Sequence, residues 1–461
     1  MKKFLPCIIL FTIVFLSRLP FLDSGFGSDP DAWRVVSVAS KISLHHQYFA
    51  SRLPGYPVQE ILYSFIPPNP IFFNGITAFL ISLSTFFFAL ILQRLHIKNY
   101  FLASLAFAFT PIIYINSITA MDYVWALAFI LASIYCLFHN RILFSAVLLG
   151  IATGCRSTSI LMLIPLGIIL YNIENKKLSK VIQFWSITSI VGFLCFVPVI
   201  KKYGIKFFAV HYSTNLPILQ IFSMISLEIW GVLGVIGFLC VFFSIRKNTI
   251  SYSLWNTISL CVIVVYSLLF LLLPYEAGYL IPIVPFVIIV IQYFVRPKFF
   301  ILFCYFLILS SFIINISVVD RPWHVQPSKL SVLFTMNSRK FVVDIYGPII
   351  CSYLQRKQEI SFTKNILLTG KKLEQPSVVV VGVWMPKVVF FAGKVLPEDT
   401  EPYFSFEDGI TTYIDVLDAE NLSFYKNKGY KIFYLQSQER YNYNVTGVQL
   451  KENGGGMLVI E

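Results

Sequence analysis

Along the first two-thirds of the chain, apolar positions recur in runs about as long as a bilayer is thick, separated by short polar breaks, and beyond residue 318 they stop. A helix needs about 20 residues to cross the hydrocarbon core, and about eleven segments read as crossings on that scale. They are 4–22, 70–92, 99–115, 122–138, 141–154, 158–172, 181–200, 218–245, 252–273, 277–295 and 299–318. After them the period shortens. "SVVVVGVW" (377–384), "VVFF" (388–391), "TTYIDV" (411–416), "KIFYLQ" (431–436) and "MLVIE" (457–461) read as strands, with a helix over "DAENLSFYKNKG" (418–429). The pattern predicts a polytopic α-helical membrane domain over 1–318 and a small soluble α/β domain over 319–461.

Two places break the apolar rhythm. The stretch "GSDPDAWRVVSVASKISLHHQYFASRLPGYP" (27–57) follows the first span and is strongly polar. Its Asp29-Pro30-Asp31 start predicts a helix with Asp29 as N-cap, proline in the first position and Asp31 in the first turn. The apolar residues that follow fit a helix lying flat on the outer membrane surface, ended by "RLPGYP". The second break, "GIATGCRSTS", lies between the basic residues Arg141 and Lys176–Lys180, a stretch short enough to need a hairpin of short helices with its tip at Gly154–Ser157. Non-helical backbone at that depth requires protein or a watery cavity around it.

Composition agrees with the pattern: 57% of residues are hydrophobic and 13% charged. The net charge of +13 does not point to nucleic acid. Lys2/Lys3, Arg94/Lys98, Arg141, Lys176/Lys177/Lys180, Arg246/Lys247 and Arg296/Lys298 fall in alternate short loops, which is the positive-inside pattern. An odd number of spans then puts the amino terminus in the cytoplasm and the carboxy-terminal domain outside. The first segment lacks a small-residue cleavage site and reads as an uncleaved helix. Only Cys351 falls in the outer domain, so that domain has no internal disulfide framework.

The outer face collects the candidate chemistry. Asp29 and Asp31 offer a general base, or ligands for a divalent metal that the sequence does not require; as helix cap and dipole partner each would contribute about 1 kcal/mol instead. Asp122, at the head of a span in "NSITAMDYVW", is either a first-turn acid or a site residue, and a metal at Asp29, Asp31 and Asp122 stays open. Arg156 stands at the hairpin tip, where a cation is costly unless it meets an anion such as a phosphate. Lys201, Lys202 and Lys206 run against the positive-inside trend and suit an anionic lipid. Glu276 in "LLLPYEAGYLIPIVP" (271–285) is a loop acid or a cavity residue at head-group level, Arg52 flanks a rigid turn, and His45 and His46 have no partner at metal-ligand spacing.

In the order of these parts the chain resembles the GT-C membrane glycosyltransferases, the superfamily of protein O-mannosyltransferases and lipid A aminoarabinose transferases. The resemblance lies in "SRLPFL" ending the first span, "SDPDAW" and "SRLPGYP" in the first loop, "TAMDY", "GIATGCRSTS" and "YEAGYLIPIVP", and covers roughly residues 1–318. It implies transfer of a sugar from a polyprenyl-phosphate donor to an acceptor glycan, lipid or protein on the extracytoplasmic face, with inversion. Asp29 or Asp31 would be the base. Arg156, Lys201, Lys202, Glu276 and Tyr279 would form the donor-phosphate region, with Arg52 and Asp122 accessory. The family's turn often carries arginine where this chain has Gly278, so the phosphate contact would pass to Arg156 or a lysine. A transporter or lipid flippase, or a lipid-linked polysaccharide polymerase or ligase, is the rival reading.

Overall fold

A computed structural model describes residues 4–174, 176–205, 216, 218–245, 254–318, 331–336, 339–394, 405–417, 419–435, 450–452 and 457–460. The chain opens with α1 (Leu5–Arg18), the loop helices α2 (Pro30–His45) and α3 (Pro57–Tyr63), α4 (Pro70–Arg94), the pair α5 (Tyr100–Phe109) and α6 (Pro111–Asn116), and α7 (Tyr123–Phe138). A hairpin follows, α8 (Ile142–Cys155) and α9 (Leu163–Ile173) with a 3-10 turn at Ser157–Met162 between them. Then come α10 (Leu178–Tyr203), α11 (Ile218–Ser223) leading into α12 (Ile229–Phe242), α13 (Leu254–Leu272), α14 (Val284–Phe294) and α15 (Pro297–Ser310). Every expected span has a helix or a broken pair of helices at its place. Among the described residues five runs are long and apolar enough to cross a membrane by themselves: Pro70–Arg94, Leu178–Tyr203, Ile218–Phe242, Leu254–Leu272 and Ala277–Phe294.

The interruptions have local causes. Thr110 is extended because Pro111 follows it, which splits α5 from α6 and opens the carbonyls at the end of α5. Arg18 fills that gap: its guanidinium donates to the Ala108 carbonyl and to Ser117 Oγ at 3.2 Å, and lies 3.9 Å from the centre of the Tyr114 ring. The arginine of "SRLPFL" is therefore a fastener of the bundle. In α12, Gly231 takes φ +66°, and Ser310 Oγ satisfies the opened backbone by donating to Trp230 O at 2.8 Å and accepting from Gly234 N at 3.2 Å.

The last span is shorter than its hydrophobicity suggests. Helix α15 ends at Ser310, and Ile313–Val318, expected to continue it, is strand β1. It pairs antiparallel with β3 (Arg339–Tyr346), which also pairs with β2 (Ser331–Met336). Its run of β-branched residues suits a ladder better than a helix end. Next come α16 (Pro348–Gly370), β4 (Ser377–Val380), α17 (Met385–Phe391), β5 (Ser405–Asp408), β6 (Thr411–Ile414), α18 (Ala419–Asn427), β7 (Lys431–Leu435), β8 (Leu450–Glu452) and β9 (Met457–Ile460). The second sheet has the order β5-β6-β4-β7-β9-β8, with β6, β4 and β7 parallel. Its core strands are apolar on both faces: Val379, Tyr413 and Phe433 pack with α16 and α17, while Val378, Val380, Ile414 and Ile432 pack with α18.

"VVFF" (388–391) is helical, not a strand. Gly382 at φ +55° turns the chain out of β4, and Pro386 sits at the start of α17. Phe390 and Phe391 then pack their rings on Trp33 of α2, with centroids 5.4 and 5.6 Å away. Helix α2 begins as expected, with Asp29 as its cap. It does not lie open on a membrane surface, because α17 covers it and most of its first three turns are buried.

Candidate functional site

The centre of the site is an acid from a span, clamped by two arginines from distant loops. Asp122 is fully buried and its side chain makes no cap bond to α7. Its Oδ1 accepts from Arg52 Nη2 at 2.5 Å and its Oδ2 from Arg156 Nη1 at 2.6 Å. Arg156 sits where α8 gives way to the 3-10 turn, in extended backbone that aims its side chain back under α7. Its guanidinium lies 3.9 Å from the ring centre of Tyr123 and 4.6 Å from that of Tyr279. One anion between two cations leaves the group net positive in a buried setting, which is favourable only when further negative charge is near.

That charge comes from the first loop. Arg52 Nε lies 3.1 Å from Asp31 Oδ2, and its guanidinium stacks 4.0 Å from the Tyr56 ring centre. Asp29, one helical position before Pro30, accepts from the Asp31 amide at 2.8 Å through Oδ1, leaving Oδ2 for other work. Burial, then the charge of Asp31 and then that of Glu276, push the Asp29 carboxyl up to about 8. Glu276 stands just before the 3-10 turn that follows α13, makes no cap bond to it, and is hydrogen-bonded to the Tyr123 hydroxyl; burial and Asp31 raise it too. Asp29, Asp31, Arg52, Asp122, Arg156, Glu276 and Tyr279 thus surround one place. Gly278 belongs to the same wall: a Cβ there would come within 2.5 Å of the Tyr123 ring. Tyr123 occupies the space a side chain at 278 would need, and the guanidinium above that ring is supplied from Arg156.

The lysines lie apart from this group. Lys201 and Lys202 end α10 and are exposed, and Lys202 Nζ is 4.1 Å from the ring centre of Phe49 in the first loop. They share the first-loop end of the bundle but do not join the Asp122 group. Lys206 lies outside the described residues. Both Asp122 oxygens are taken by guanidinium groups, and among the described residues no three His, Cys, Asp or Glu side chains converge as a metal-ligand set.

Glu60 is the residue that sequence reasoning missed. It is fully buried on α3, and it accepts from Ser51 N at 2.7 Å, Ser51 Oγ at 2.6 Å, Tyr56 N at 3.0 Å and the Tyr48 hydroxyl. Four donors on one carboxylate fold residues 48–56 into the turn that presents Arg52. The available signal was a lone acid inside "VQEILYSFI", next to the rigid "PGYP". Glu60→Gln turns one acceptor into a donor facing donors, and should cost about 1–3 kcal/mol while loosening that turn. Chemical unfolding in detergent, with proteolysis of residues 48–56, would check this; unchanged stability would refute the role.

No family model matches the chain, and no curated protein matches it in sequence. Solved structures do match in fold. ArnT from Cupriavidus metallidurans in the apo state superposes with a TM-score of 0.55 at 9% identity, over 98% of this chain and 97% of that one. ArnT from the same organism bound to undecaprenyl phosphate gives a TM-score of 0.56 at 10% identity, over 98% and 97% of the two chains. The chain therefore shares the fold of these ArnT structures along nearly its whole length, with an identity so low that the likeness is one of fold.

Proposed function

We propose that the chain is a glycosyltransferase that moves one sugar from a polyprenyl-phosphate donor to an acceptor hydroxyl or amine on the extracytoplasmic face of the membrane. The observation that carries the reading is Arg52: among the described residues its buried Nη1 has no hydrogen-bond partner, while its Nε and Nη2 are held by Asp31 and Asp122. A phosphate oxygen is the partner such a guanidinium suits, because the planar fork binds two oxygens at once. One of the fold neighbours is bound to undecaprenyl phosphate, a ligand of this class. The reading divides the chain at 1–318 and 319–461 and orients the first loop and the carboxy-terminal region away from the cytoplasm.

In the proposed reaction Asp29 takes the proton of the acceptor through its free oxygen. The acceptor attacks the anomeric carbon from the face opposite the lipid phosphate, the bond to the phosphate oxygen breaks, and the configuration inverts. Charge develops on the ring as an oxocarbenium-like species and on the leaving phosphate, as at other glycosidic centres. Arg52 and Arg156 are already oriented by Asp122, so they stabilise the leaving group without reorganising. Asp31, paired with Arg52, is the orienting acid; Lys201 and Lys202 meet lipid head groups at the rim.

The test is transfer in liposomes from synthetic undecaprenyl-phosphate-linked sugars to added acceptors. Wild-type protein should give a sugar product and free undecaprenyl phosphate. Movement of the lipid between leaflets without product would support the flippase reading instead. Arg156→Gln should raise the donor KM about 10- to 100-fold, the worth of one charge-assisted bond to phosphate. An unchanged donor KM would remove Arg156 from the site.

A further inference from the structure

The carboxy-terminal region grips the candidate site through a buried polar group that the proposed reaction does not use. Arg356 and Glu359 on α16 are each 1% exposed, and Lys387 on α17 is 2% exposed. Lys387 Nζ donates at 2.6 Å to Glu359 Oε2 and at 3.0 Å to the carbonyl of Ser28, the residue before Asp29. Arg356 Nη1 donates at 2.8 Å to the carbonyl of Ile118, on the segment that leads into Asp122. Gln355 Nε2 holds the other Glu359 oxygen at 3.0 Å. The two gripped segments are also tied to each other, since Ala120 N donates at 2.7 Å to Phe26 O.

Apolar packing closes the same place. Trp33 donates through Nε1 to Gly27 O at 2.7 Å while its ring packs on Phe390 and Phe391 of α17. A Cβ added at Gly25 would come within 2.9 Å of Ile360 on α16, so residues 25–28 run directly against that helix. Burying two cations and one carboxylate costs more than an apolar contact of the same size would, and such groups are tolerated where their geometry is used. Here both cations end on backbone carbonyls, each a few residues from a site acid.

We infer that Arg356 and the Glu359-bound Lys387 are positioning residues: they fix the backbone from which Asp29 and Asp122 are presented, so the carboxy-terminal region sets the geometry of the site. The inference rests on the reading of those two acids as the transfer site, but its first readout does not depend on any reaction.

Hydrogen–deuterium exchange on the full chain in nanodiscs tests it. Lys387→Met should raise amide exchange in residues 25–33 by about tenfold while the bundle helices keep their protection, and Lys387→Arg should restore wild-type exchange. Arg356→Gln should act first on residues 118–123. If Lys387→Met does not fold, Glu359→Gln keeps the shape, weakens the anchor and should raise exchange in 25–33 to a smaller extent. Unchanged exchange in 25–33 in either variant overturns the inference. The second readout is transfer: Lys387→Met should lower kcat about 10- to 100-fold and change the donor KM less than threefold. Its rate–pH curve should move toward lower pH, because a loosened loop hydrates a carboxyl now faced by Asp31, Glu276 and Arg52. Wild-type kcat and an unmoved curve would count against positioning. Asp29→Asn in the same assay separates the claims: if it transfers normally, the base assignment fails while the exchange result still decides the clamp.

Discussion

Asp122→Asn is expected to abolish measurable transfer and to destabilise the folded protein by about 3–5 kcal/mol, the cost of removing the anion from a buried ion pair. The carboxylate uses both oxygens on guanidinium groups, Arg52 at 2.5 Å and Arg156 at 2.6 Å, and no water-exposed surface is left to replace it. An amide offers one acceptor and turns an NH2 toward a cation, so one arginine loses its partner and the other loses the charge. Both arginines then swing out of register, which is why activity should fall with stability. Undecaprenyl phosphate supplies a substitute anion, so adding it should stabilise Asp122→Asn more than it stabilises the wild type. Unfolding in detergent with and without the lipid measures both effects. A variant of wild-type stability would show that Asp122 only heads its helix.

The bundle was legible in the sequence because the bilayer imposes a length and an apolar composition that no other element shares. The site was legible in part, and the pattern of what was missed is physical. An acid at the head of a span, such as Asp122, reads equally as a first-turn residue or a site residue, since the decisive fact is the pair of arginines that close on it from positions 52 and 156. Those contacts are long-range and leave no spacing in the chain. Glu60 was invisible for the same reason: its four donors lie in a loop whose fold the carboxylate itself creates. "VVFF" misled because a four-residue apolar run carries no period, and the cover of Trp33 decides its form. Arg356, Glu359 and Lys387 carry no spacing signal in the chain; their partners are set only where α16 and α17 meet the first loop and the segment before Asp122.

Asp29→Asn separates the two roles that the first-loop acid combines. Asparagine caps a helix as well as aspartate does, so the bond to the Asp31 amide and the start of α2 should survive, with a stability change within about 0.5 kcal/mol at acidic pH. A base cannot survive, and kcat should fall by about 10²- to 10⁴-fold with little change in donor KM. The pH dependence gives an independent sign. A carboxyl pushed up to about 8 in the folded protein keeps its proton where the unfolded chain has already lost it, so between the ordinary carboxylate range and about 8 the folded state binds the extra proton. Stability of the wild type should therefore decline as pH rises through that window, and the decline should be smaller in Asp29→Asn. Transfer should do the opposite and increase with pH toward about 8, because only the deprotonated Asp29 can accept the acceptor's proton. Opposed trends in the wild type, both weakened by one isosteric change, would tie catalysis to this carboxyl; transfer at wild-type rate in Asp29→Asn would leave it a helix cap and hand the search for the base to Asp31.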